Sequence, residues 1–68
     1  MRPMYAADAG RVLFRGQPLD EARAQRILAM HRQSAERADA EGLAGLAAAA
    51  TALAQELERA IRAAMEQS

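Results

Sequence analysis

His31 is the only imidazole in the chain, and it stands within "ILAMHRQSAERA", flanked by Ile27 and Leu28 on one side and by Ala35 and Ala38 on the other. A histidine there could act as a pH switch, or supply half of a metal site completed across a twofold axis. No second ligand stands at metal spacing and there is no cysteine. The plainer expectation is therefore a tucked-in, buried polar histidine, hydrogen-bonded to Thr51 or to a carbonyl, with no metal and no cofactor. Catalysis has little more to work with. Asp20 and Glu21 are adjacent on a helix, so their carboxylates diverge rather than form an acid/base pair. Ser34 and Ser68 lack a triad context. Gly10, Gly16, Gly42 and Gly45 are too scattered to cradle a phosphate. The expectation is a protein that is not an enzyme.

Arginine supplies the other chemistry. Arg23, Arg26 and Arg37, with Gln33 between them, line one flank of the first helix, while Glu21, Arg32, Glu36 and Asp39 line the other. A flank of guanidinium groups could grip an RNA or DNA backbone. The formal net charge is zero, which favours an ordinary solvated face over a nucleic-acid or membrane-surface binder. All nine basic residues are arginine, and with so much alanine this looks like the codon bias of a GC-rich bacterial genome. The charge is segregated along the chain. Residues 1–38 hold seven arginines against four acids, and residues 39–68 hold two against five, so the halves carry +3 and −3.

Sixty-eight residues make one small domain, with an arm over 1–18 and a helical part over 19–68. A chain this short buries roughly 60% of its unfolded surface, which leaves its core marginal. Without cysteine or a metal cluster, self-association or a protein partner is the remaining source of stability. No apolar run reaches the ~18 residues of a membrane span, and "MRPMYAADAG" lacks the apolar stretch of a signal peptide. A cytoplasmic protein is expected.

The fold class read from the pattern is mainly α: an antiparallel helical hairpin with helices at about 20–38 and 43–67, preceded by a short β-hairpin or an extended arm. In the arm, Asp8-Ala9-Gly10 supplies a turn and "RVLFR" a β-prone run, which Gly16 and Pro18 then stop. Asp20 is a good N-cap for the first helix, with Leu19 placed to touch Ala24. Ala24, Ile27, Leu28, His31, Ala35 and Ala38 recur at three and four, as one face of a helix requires. In "ADAEG", either Asp39 caps the next helix or Gly42 ends the first in the left-handed conformation. Leu43, Leu46, Ala50, Leu53, Leu57 and Ile61 then form the apolar stripe of the second helix, with Glu58 and Arg62 in the favourable i, i+4 order.

A turn near Ala40 and Glu41 would make facing residue numbers sum to about 81. Large residues then meet alanine, as in Ala35 with Leu46 or His31 with Ala50, which favours a hairpin over one long rod. The second helix is the longer, so Ile61 and Met65 overhang the start of the first, and Tyr5, Val12 and Phe14 are the nearest cover for them. Two such hairpins bearing the Arg23, Arg26 and Arg37 flank would resemble, in architecture and without a shared residue motif, the small plasmid-encoded RNA-binding hairpin dimers. The resemblance implies RNA binding through those arginines.

Opposite the leucines, "GLAGLAAAATALAQEL" shows Gly45, Ala48 and Ala52, with Ala44 and Ala49 beside them. Alanine is the best helix former, and a solvated face could be all this is. Small side chains also admit a second helix at close range. Pairing through Gly45, Ala48, Ala49 and Ala52 would give a homodimer, a four-helix bundle with the missing core. The expected function is a small protein–protein interaction module, an adaptor, small chaperone or regulatory subunit, with a larger protein partner also compatible. The alternative is a nucleic-acid-binding regulator.

Overall fold

Two dipeptides decide the path of the N-terminal segment. In the computed structural model, which describes residues 3–68, Ala9 and Gly10 have φ of 53° and 77°, and Arg15 and Gly16 have 50° and 84°. Positive φ at both central residues defines the type I′ turn, whose twist matches that of the strands it joins. The result is an antiparallel meander of β1 (Tyr5–Asp8), β2 (Arg11–Phe14) and β3 (Gln17–Leu19), in that order. The expected two-stranded hairpin thus gains a third strand. Gly16 does not stop the ribbon, because Arg15 joins it in the left-handed region and the chain reverses.

Nor does Pro18 stop it. Phe14 pairs with Gln17 across the turn and Leu13 with Pro18. Residues flanking a two-residue turn exchange hydrogen bonds and the next pair does not, so the proline nitrogen points away from β2. An edge strand tolerates that.

Tyr5, Ala7, Val12, Phe14 and Leu19 share the inner face of the sheet; Tyr5 and Val12 are buried and the other three pack against the core. The Tyr5 and Phe14 rings, on paired residues, lie 5.5 Å apart.

Helix α1 (Glu21–Ala40) begins as its sequence requires, with the Asp20 carboxylate accepting from the Arg23 N–H at 2.8 Å. Its end settles the choice at "ADAEG". Gly42 takes φ 74°, the Leu43 N–H donates to the Ala38 carbonyl at 2.8 Å, and the Gly42 N–H donates to Asp39 at 3.1 Å. These two bonds make a Schellman motif, in which glycine supplies the left-handed residue. Helix α2 (Ala44–Gln67) starts one residue later from Leu43, with no side-chain cap. The hairpin turn is therefore centred on Gly42, and facing numbers sum to about 84 instead of 81. Counted from that centre, Leu53 falls opposite His31 and Leu46 opposite Ala38, and these four side chains line one groove together with Ala50.

Core packing is thin. Among the described residues nine apolar ones are buried, five of them alanine, and Leu57 is the one large side chain that is fully enclosed. The sheet completes this core by lying on α2. Glu56 accepts from the Tyr5 N–H at 3.4 Å and Gln67 from the Gly10 N–H at 3.1 Å. Eleven residues, close to three helical turns, separate the two acceptors, so both point the same way and hold the ribbon at its two ends. No helix among the described residues is long and apolar enough to cross a membrane.

Candidate interaction surface at the hairpin tip

One line of side chains runs the length of α2 at intervals of three and four: Leu46, Ala49, Leu53, Glu56, Ala60, Ala64 and Gln67. The C-terminal part of this line lies under the sheet, where Ala60 and Ala64 are buried and Glu56 and Gln67 hold the strands. Among the described residues no strand lies over the N-terminal part. Leu46 is 63% exposed, Ala49 is exposed and Leu53 is half-buried.

Helix α1 repeats the division. Ile27 packs against the core and His31 touches the sheet, while Ser34, Ala38 and Glu41 continue beyond it. These parts of the two helices enclose an open groove of about 450 Å³ at the hairpin tip, floored by Ala38, Leu43, Leu46, Ala49, Ala50 and Leu53 and edged by Arg37 and Glu41. Leu43 and Leu46 are thus not core residues facing α1, as the leucine stripe implied. With the turn at Gly42, α1 offers that level only Ala38 and Ser34, too small to enclose them.

His31 stands where sheet and groove meet. Its Nε2 lies 2.8 Å from the Tyr5 hydroxyl, and the two rings meet edge to face at 5.9 Å. The expected partner Thr51 is on the other side of the hairpin, where it lines a shallow groove with Arg32, Ala35, Gln55 and Glu58. Tyr5 titrates above its ordinary value of 10.0, first because burial disfavours the phenolate and second because the Glu56 carboxylate repels it.

The residues singled out in the sequence are placed as follows. Gly45, Ala48, Ala49 and Ala52 are all exposed, and Ala49 also lines the tip groove. Arg23, Arg26 and Arg37 are exposed on one flank of α1, with Met30, 53% exposed, between them. Among the described residues none of these three arginines is in an ion pair, whereas Glu58 joins Arg32 and lies 3.9 Å from Arg62 in the i, i+4 order expected. That network is solvated and contributes little. A second cleft, of about 620 Å³, opens at the opposite end between Val12, Leu19, Asp20, Ile61 and Met65, so Met65 stays 68% exposed beside the sheet. Among the described residues no group of three His, Asp or Glu side chains could hold a metal ion.

Missing from the sequence reading were the Tyr5–His31 contact and the exposure of the tip leucines. The available signal was the line from Leu46 to Gln67 itself, which ends in residues that a helix-facing stripe alone does not account for. No protein-family model, curated protein or solved structure matches the chain.

Proposed function

We propose that the chain is a small non-enzymatic protein–protein interaction module, an adaptor, small chaperone or regulatory subunit, and that it works through the helical hairpin tip. The observation that carries this is the division of one α2 face into a half sealed by the sheet and an equivalent half left open at Leu46, Ala49 and Leu53. Contiguous exposed apolar surface edged by charge is characteristic of association sites. The small residues Ala49 and Ala50 in the groove let a partner helix approach closely. A photo-reactive phenylalanine analogue in place of Ala49, introduced in native cells, should give a protein adduct on irradiation. The adduct should vanish with Leu53→Glu. If no adduct forms, the reading fails.

A second reading rests on the three exposed, unpaired guanidinium groups of Arg23, Arg26 and Arg37. Nucleic acid bound there would be released steeply by salt, and Arg26→Glu would weaken it. A mixed RNA and DNA pool that shows no retention at low salt removes this reading.

A further inference from the structure

We infer that the occupant of the tip groove is the tip groove of a second copy of this chain, packed antiparallel about a twofold axis; the inference rests on the interaction-module reading above. Shape is the first argument. The sheet stands as an extra layer on one half of the hairpin face and the other half is a step down. Two steps interlock only when the helices run antiparallel, since a parallel overlap would drive one sheet into the other. An axis perpendicular to the helices in the interface then lays α1 on α1 and α2 on α2.

Register is the second. The segment of α2 that lines the groove runs from Leu43 to Leu53 and that of α1 from His31 to Glu41. A common axis through their midpoints sets Leu46 against the small Ala49 and Ala50 of the second copy, and Glu41 against its His31. An isologous contact makes each of these pairs twice.

Area is the third. The chain exposes 4999 Å², whereas a compact monomer of its 7.3 kDa exposes about 4200 Å². Summed over the whole chain, the excess of about 800 Å² matches in size the share that one partner gives to an interface of standard size. Zero net charge removes the repulsion that would keep copies apart.

Strand pairing between copies is disfavoured at both edges of the sheet. On β1 the outward Tyr5 N–H is taken by Glu56, which leaves Ala7 as the one outward donor, and on β3 the outward nitrogen belongs to Pro18 and carries no hydrogen. Helical contact is the favoured route.

The chain has no cysteine, so single substitutions report cleanly. Sedimentation equilibrium should find the wild type dimeric at micromolar concentration. Leu46→Glu should raise the dissociation constant roughly 30-fold or more, the loss expected of a central buried anchor. Its circular dichroism should keep the wild-type helicity, since Leu46 is exposed within one copy. Under mild oxidation Ala49→Cys, close to the axis, should form a disulfide-linked dimer, while Gln55→Cys on the far face should not. A wild type still monomeric at about 100 μM, far above the dissociation constant of a standard interface, overturns the inference. So does equal crosslinking of the two cysteine variants. The interaction-module reading is decided separately, because a monomer that gives a heterologous photo-adduct would keep it.

Discussion

Tyr5 joins three parts of the molecule through a single side chain and its backbone. Its ring is in the core, its hydroxyl reaches His31 on α1, and its amide is held by Glu56 on α2. Tyr5→Phe keeps the ring and removes only the hydroxyl, so the cost should be about 1 kcal/mol in urea unfolding, the net worth of one hydrogen bond. The same substitution should alter the response to alkali. Folded Tyr5 holds its proton more tightly than the unfolded chain does, so its contribution is complete below about pH 10 and is lost as pH rises through the raised folded value. Stability of the wild type should therefore fall at high pH, and denaturant midpoints for Tyr5→Phe should fall less. Leu57 is the other critical residue. It is fully enclosed among alanines that cannot move in to fill its place, so Leu57→Ala should cost about 2–5 kcal/mol and unfold much of the population at 37 °C.

At the scale of elements, punctuation mattered more than propensity. Gly42 carries the Schellman motif at φ 74°, and a Cβ there would meet no other atom within 4 Å. The cost of Gly42→Ala should thus be the left-handed backbone alone, about 1–2 kcal/mol, measurable as a lower thermal midpoint. Ala9 sits at φ 53° in a turn that favours asparagine, so Ala9→Asn should stabilise by a few tenths of a kcal/mol to about 1 kcal/mol. Both helices were legible in the sequence to within two residues, because capping at Asp20 and glycine at position 42 leave local signals. The first hairpin was legible too, from Asp8-Ala9-Gly10. The third strand was not, since Arg15 at positive φ has no signature of its own and Pro18 reads as a breaker unless the edge of the sheet is already known. The candidate surface was half legible. Ala49 could be marked as unusual from composition, but Leu46 belonged to the core until a turn centred on Gly42, instead of between Ala40 and Glu41, moved it out.

For the whole molecule, stability comes from distant parts of the chain meeting. Replacing Pro18 with valine would restore a hydrogen-bond donor on the open side of β3, and light scattering on warming should then rise well before it does for the wild type. The two contacts that pin the ribbon to α2 join residues 51 and 57 positions apart. During synthesis at about 5–20 residues per second, Tyr5 is made roughly 3–10 s before Glu56. A β-ribbon closes within microseconds but does not persist alone. The nascent ribbon must therefore fold and melt many thousands of times before its anchor exists. Order in the strands is conferred by residues made 51 and 57 positions later, so the sheet settles only once α2 has followed it out of the ribosome.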